Sequence, residues 1–233
     1  ETISYRDTLA GYYINLGKID QAEKVLREAI RIEPENPRRY LLLANFLAES
    51  KGAEYAVTEL NTTIIERPQL TDLSFALAKL YGDNGEQTKA YAVYAEIIKA
   101  SGIKPDGLRG RSELARLLID AGKLDQAQAL VEEVLTESPH HNDALVLKAR
   151  IALKTGDIVE AVASLRALLK DQPESLDALF MLADAHLRLG NNELAEENLK
   201  RAVDIAPEYP RARIRLAKYY LAHTAFDEAL EQV

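Results

Sequence analysis

The chain has 233 residues, 47% of them hydrophobic and 28% charged, with no Cys, no Trp and one Met. That is enough apolar material for a sizeable core and is unlike the composition of a disordered chain. Thirty-seven acidic against 29 basic side chains leave a formal charge of −8, which argues against nucleic acid or an anionic membrane as a general partner, since both attract positive surfaces. The lack of cysteine removes disulfides, thiolate zinc sites and thiol catalysis together, and leaves cytoplasm and periplasm equally open.

Ala (34), Leu (35), Glu (23) and the 29 Lys and Arg make up about half of the positions, a bias that at helical period points to repeated helices. The prolines supply the ruler. Pro34, Pro68, Pro105, Pro139, Pro173 and Pro207 are separated by 34, 37, 34, 34 and 34 residues, so one repeat carries three extra residues. With each of these prolines at position 32 of a 34-residue frame, the repeats are 3–36, 37–70, 71–107, 108–141, 142–175 and 176–209, then a partial seventh at 210–233. Position 8 is Ala10, Ala44, Ala78, Ala115, Ala149, Ala183 and Ala217; position 20 is Ala22, Ala56, Ala90, Ala127, Ala161, Ala195 and Ala229. Such small residues belong where two helices approach most closely.

The first repeat shows the pattern. Leu9, Ala10 and Tyr13 lie on one face of a first helix, Gly17 turns the chain, and Ala22, Leu26 and Ala29 lie on one face of a second helix that Pro34 cannot continue. Asp20, like Asp125 and Asp157 in later repeats, suits the N-cap of its second helix. The second repeat has Lys51 and Gly52 in place of a glycine at position 15, and contains Asn61-Thr62-Thr63, a glycosylation sequon placed inside a helix. The third ends in the segment 97–110, where Gly102, Pro105, Gly107 and Gly110 give the densest run of helix breakers. Two readings fit residues 101–107: a slightly longer turn, or a joint that alters curvature. The chain is a single array in either case.

The fourth repeat closes on His140 and His141 in an inter-repeat loop, adjacent histidines that fit a solvated loop better than a metal site. In the fifth and sixth, Lys148 stands at position 7 and His186 at position 11, where other repeats have apolar residues, and this implies more polar packing there. The partial seventh stops at Val233 inside a second helix, and the chain opens at Glu1 without Met. A fragment of a longer protein is expected, with the array ends free to self-associate. Phosphate-loop, G-x-S-x-G, H-E-x-x-H and EF-hand patterns are missing. Acidic pairs such as Glu132–Glu133 and Glu196–Glu197 fit solvated helix faces. No cofactor, metal or catalytic residue is expected, and no membrane span in this segment.

The combination of Leu-Ala at positions 7 and 8, Tyr or Leu at 11, Gly at 15, Ala at 20 and Pro at 32 resembles the tetratricopeptide repeat over essentially the whole chain, despite the lack of Trp at position 4. The resemblance implies an all-α, right-handed α-α superhelix (solenoid) of about six and a half repeats. It also implies a non-catalytic scaffold that binds a peptide segment or helix of another protein in a concave groove. In such proteins positions 2, 5, 9 and 12 of the first helix line the groove. Position 5 here is Asp7, Leu41, Phe75, Ser112, Val146, Phe180 and Ile214, and position 9 is Gly11, Asn45, Lys79, Arg116, Arg150, Asp184 and Lys218.

An exposed apolar row beside a largely basic one asks for an acidic or amphipathic partner. The competing reading pairs Lys79, Arg116 and Arg150 with nearby acids such as Asp83, Asp120, Asp143 and Asp177. No Lys stands at position 5 beside Asn45, so the clamp for chaperone C-terminal tails is not expected. The run from Glu137 to Pro173 is also similar to repeat regions of bacterial exopolysaccharide-secretion and exosortase-associated proteins, which implies a structural or assembly role in the envelope as the alternative.

Overall fold

The computed structural model describes the backbone of residues 2–232 and the side chains of residues 5–232. All regular structure among these residues is helical: α1 (Thr2–Asn15), α2 (Ile19–Ile32), α3 (Pro37–Ser50), α4 (Ala53–Glu66), α5 (Thr71–Asp83), α6 (Gln87–Ser101), α7 (Pro105–Asp120), α8 (Leu124–Glu137), α9 (Asn142–Thr155), α10 (Ile158–Asp171), α11 (Leu176–Arg188), α12 (Asn192–Ile205), α13 (Pro210–Ala222) and α14 (Phe226–Leu230). Odd-numbered helices are the first helices of the repeats and even-numbered ones the second, so the helix-turn-helix repeat is the fold. The chain divides into two compact units, Glu1–Leu117 and Leu118–Val233.

Each unit has its own core. In the first, α1 packs on α2, α3 on α4 and α5 on α6, with α2 on α3, α4 on α5 and first helix α3 on first helix α5. Leu43, Leu47, Leu60, Leu73 and Leu77 fill the space between them. In the second, α9 packs on α10, α11 on α12 and α13 on α14, with α8 on α9, α10 on α11 and α12 on α13, around Leu165, Leu168, Leu179, Leu199 and Leu216. All fourteen alanines of positions 8 and 20 are buried, none more than 7% exposed.

In most repeats the turn between the two helices follows one hydrogen-bond pattern, whereas in the fifth the Gly156 N–H donates to the Ala152 carbonyl at 2.9 Å. The N–H at position 16 donates to the carbonyl at position 11: Lys18 to Tyr13 at 2.9 Å, Gly52 to Leu47 at 3.0 Å, Glu86 to Tyr81 at 2.8 Å, Lys123 to Leu118 at 2.8 Å and Asn191 to His186 at 2.9 Å. In four of these five turns a left-handed residue stands just before the donor. Gly17, Gly85, Gly122 and Gly190 supply it with φ between 68° and 79°. In the second repeat Lys51 has φ −124° and the donor Gly52 itself has φ 106°.

Two local expectations are corrected. Asp157 caps its helix, its Oδ1 accepting from the Glu160 N–H at 3.1 Å, but α2 and α8 begin after Lys18 and Lys123 without a side-chain cap. Asp20 and Asp125 therefore lie inside the first turn, where a carboxylate meets the positive end of the helix dipole. The breaker-rich segment is also shorter as a turn than its composition suggests. α6 ends at Ser101 and α7 starts at Pro105, because proline suits the first helical turn. Gly107 and Gly110 lie within α7 and are buried. A Cβ on Gly107 would stand 2.0 Å from the Gly102 carbonyl oxygen, so this glycine permits close packing, with no turn at that point.

Candidate functional site

The positions expected to line a groove lie on successive first helices, and their side chains fall into two kinds of environment. At position 5 the apolar residues are largely covered. Phe75 is 5% exposed and Phe180 3%, while Leu41 and Val146 are half-buried against the cores of their units. The covering group comes from the next first helix. Arg109 of α7 lies over the Phe75 ring, its Cζ 3.9 Å from the centroid, and its Nη1 donates to Asp72 Oδ1 at 2.6 Å. Arg215 of α13 lies over Phe180 at 4.8 Å and donates to Asp184, with distances of 3.2 and 3.3 Å.

The expected open row of Phe75 and Phe180 is thus corrected. A guanidinium attracted to the face of each ring seals it, held by an aspartate of the preceding first helix. Neither Arg109 nor Arg215 stands out in the sequence without the register between neighbouring helices. Asp7 at the same position accepts from the buried Arg39 of α3 at 2.7 Å. Arg39 Nε also donates to Glu33 at 2.5 Å, and this hydrogen bond holds the Glu33 carboxyl below its usual range. Ser112 is 1% exposed and its Oγ has no hydrogen-bond partner. Ile214 alone of the row is open, at 51%.

At position 9 the side chains reach solvent. Lys79 donates to Asp83 at 2.5 Å, both side chains being more than 60% exposed. Arg116 meets Glu113 at 3.4 Å and Arg150 meets Asp120 at 3.0 Å. Asn45 and Lys218 are exposed, and among the described residues neither has an ion pair or hydrogen bond. Of the four acids named as partners from the sequence, Asp83 and Asp120 make those pairs. Solvent-facing pairs of this kind are worth about 0–1 kcal/mol. In Glu1–Leu117 the first helices α3, α5 and α7 lie side by side, α3 on α5 and α7 on α5 through Arg109 on Phe75. Asn45, Lys79 and Arg116 occupy position 9 of these three helices.

The histidines stay apart from any such site. His140 Nδ1 is 3.6 Å from Asp171, and His141 caps α9 by accepting from the Ala144 N–H at 3.3 Å. His186 is 2% exposed, with Nδ1 unpaired. Among the described residues no cluster of three or more His, Cys, Asp or Glu could hold a metal ion, and no helix is long and apolar enough to cross a membrane. The sequon residue Asn61 lies in α4, its Nδ2 donating to the Val57 carbonyl at 2.9 Å.

Models of the tetratricopeptide repeat match residues 4–46, 118–173, 148–210 and 180–233, about two thirds of the chain. The chain belongs to the tetratricopeptide repeat family. A solved tetratricopeptide repeat protein from Parabacteroides merdae ATCC 43184 is similar with a TM-score of 0.66 at 18% identity, over 99% of this chain and 90% of that one. PilW, a widely conserved type IV pilus biogenesis factor, is similar with a TM-score of 0.66 at 17% identity, over 93% of this chain and 99% of that one. YrrB, a TPR protein with an unusual peptide-binding site, is similar with a TM-score of 0.53 at 18% identity, over 80% of this chain and 95% of that one. These likenesses concern the fold. No curated protein sequence matches the chain. In this tetratricopeptide repeat chain position 5 of the first helices is thus covered in two repeats, and at position 9 Asn45, Lys79 and Lys218 are exposed.

Proposed function

We propose that the chain is a non-catalytic interaction scaffold whose first helices take an acidic, extended segment of another protein. The observation that carries this reading is the presence of Asn45, Lys79 and Arg116 at position 9 of three neighbouring first helices. Packed helices are about 8–10 Å apart, and a polyproline II segment rises about 3.1 Å per residue with three residues per turn, so that every third side chain faces the same way. A segment with an acidic residue at every third position would place its carboxylates beside successive helices. In Leu118–Val233 position 9 is Arg150, Asp184 and Lys218, where the aspartate, already paired with Arg215, interrupts the row of donors.

The probe is a fluorescent peptide of nine to twelve residues with Glu at every third position, compared with a scrambled peptide of equal charge. Anisotropy titration of the wild-type chain should give tighter binding to the periodic peptide. The double variant Lys79→Glu/Arg116→Glu should weaken that binding about tenfold or more and flatten its salt dependence. Equal affinity for both peptides, or an unchanged affinity in the double variant, would exclude this site.

A further inference from the structure

Position 24, on the second helix, is a core position, held in the six full repeats by Leu26, Leu60, Tyr94, Val131, Leu165 and Leu199. Tyr94 of α6 is the one polar residue of these six. It is 4% exposed, and its ring centre lies 6.1 Å from that of Phe75 on α5. The charges that act on its hydroxyl are Glu113, Arg109 and Arg116 of α7 and Asp83 of α5, so the hydroxyl end points away from α6, towards the first helices. Among the described residues it has no hydrogen-bond partner. A buried polar group in that state has given up hydration with no return. Burial, then Glu113, pushes the phenol pKa up to about 12, so at neutral pH the group is an O–H with a proton to donate.

Arg109 meets the same Phe75 ring from α7, its Cζ 3.9 Å from the centroid. Its guanidinium uses one nitrogen on Asp72, at 2.6 Å. Arg116, two helical turns further along α7, uses Nε on Glu113 at 3.4 Å. An arginine carries five N–H donors, so both side chains keep donors in hand. Lying on a ring and tied by one ion pair, Arg109 is ordered before any ligand arrives, and a planar fork held in this way suits a carboxylate through two parallel N–H bonds. Asp83 and Glu113 are already paired with Lys79 and Arg116, so an incoming anion meets no unpaired like charge from these two.

We propose that the Tyr94 hydroxyl and the Arg109 guanidinium form a seat for one carboxylate, with Arg116 at its edge. The seat takes an aspartate or glutamate side chain of a protein partner, which accepts from the Tyr94 O–H and from the unused N–H groups of Arg109. This rests on the reading of the chain as a holder of an acidic segment, and adds to it a fixed point: one acidic residue of the segment is bound at Tyr94, and the others fall beside Lys79 and Asn45. Binding returns to the phenol the hydrogen bond that burial took from it. A neutral amide of the same shape accepts from Tyr94 as well, but gains little from Arg109.

Carbon–proton NMR of the full chain with ring-labelled tyrosine tests it, Tyr94→Phe serving to assign the Tyr94 signal among the 11 tyrosines. The probe is glutamate acetylated at its amine and amidated at its α-carboxyl, added at constant ionic strength up to about 100 mM, a range that covers the millimolar affinity of a single contact. It should shift the Tyr94 signal saturably, and the matching glutamine derivative should bind about tenfold more weakly. Acetylalanine, whose carboxylate is chain-terminal, separates a chain end from a side chain: the tighter of the two acids names the source. Arg109→Lys keeps the charge and removes the fork, and should raise the ligand concentration needed about tenfold. Tyr94→Phe should likewise weaken binding of the periodic acidic peptide about tenfold, at unchanged helical circular dichroism. A Tyr94 shift with the glutamate probe, while periodic and scrambled peptides bind alike, would uphold the seat and discard the extended-segment reading. A silent Tyr94 signal, equal affinity for the glutamine derivative, or an unchanged titration in Arg109→Lys overturns the seat whatever the peptides do.

Discussion

The guanidinium carbon of Arg215 lies 4.8 Å from the centre of the Phe180 ring, and the same guanidinium reaches Asp184 at 3.2 Å. The aromatic side chain belongs to α11 and its cover to α13, so one residue both ties neighbouring repeats together and removes an apolar ring from the groove. Arg215→Ala is expected to cost about 0.5–1 kcal/mol from the lost cation-to-ring contact. The ion pair contributes little, because both partners are partly exposed. In a chain of this size the melting temperature should fall by roughly 1–4 °C. Arg215→Lys should recover only part of it, since an ammonium cannot lie flat on the ring. An unchanged melt for Arg215→Ala would show that the contact adds nothing.

Gly107 should respond to alanine with the opposite sign from an ordinary helical glycine. Alanine in a helix interior is favoured over glycine by about 1 kcal/mol, and Gly11 in α1, where an added Cβ would meet nothing within 4 Å, should show that gain. At Gly107 the added Cβ would stand 2.0 Å from the backbone oxygen of Gly102, and backbone cannot step aside as a flexible side chain can. Gly107→Ala is therefore expected to destabilise by about 1–3 kcal/mol, the usual cost of overpacking. Paired denaturant melts of the two variants check the sign. A stabilised Gly107→Ala would mean that the α6–α7 turn relaxes freely.

The repeat itself was legible because its markers are backbone requirements. Proline cannot continue a helix, glycine fills the left-handed turn position, and alanine alone fits where helices touch, so these residues recur at fixed spacing. The state of the groove was less legible because it depends on pairs of residues in different repeats. Phe75 and Phe180 share position 5 with Ile214, yet the first two are buried and the third is open. The difference lies in Arg109 at position 2 of one following helix and Arg215 at position 6 of another. No single-repeat pattern contains that information. The segment around Pro105 misleads for a related reason: proline and glycine punctuate turns in most contexts, but here proline starts α7 and Gly107 serves packing inside it.

His186 makes stability depend on pH. It is buried at position 11 of α11 with Nδ1 unpaired. Burial lowers its pKa below 6.5, Arg166 lowers it further, and Glu197 opposes them. The folded chain therefore holds the ring neutral while the unfolded chain protonates it near pH 6.5. Below that value the unfolded state binds more protons, so stability present above pH 6.5 is lost as pH falls towards the lower folded-state pKa. His186→Leu removes this contribution. Its melting temperature relative to wild type should rise as pH is lowered from 7.5 to 5.5, which thermal melts in matched buffers would reveal. A difference that stays constant over that range would mean that His186 titrates alike in both states.

Thr224 occupies position 15 of the last repeat with φ 60°, the one non-glycine residue with positive φ among those described. Its neighbours in register, Gly17, Gly85, Gly122, Gly156 and Gly190, adopt φ between 68° and 90°, so the turn keeps its conformation although its residue has changed. A β-branched side chain in the left-handed region costs about 1–2 kcal/mol, against about 0.4–1 kcal/mol for the extra freedom glycine brings to the unfolded chain. The hydroxyl compensates weakly, donating to the His223 carbonyl at 2.7 Å. Thr224→Gly should therefore stabilise the chain by roughly 0.5–1 kcal/mol, and Gly190→Thr should destabilise it by at least as much. Both changes are read from the midpoint of urea unfolding. A loss of stability in Thr224→Gly would mean that the threonine contacts outweigh the backbone strain, and that the last turn differs from the others in more than its residue.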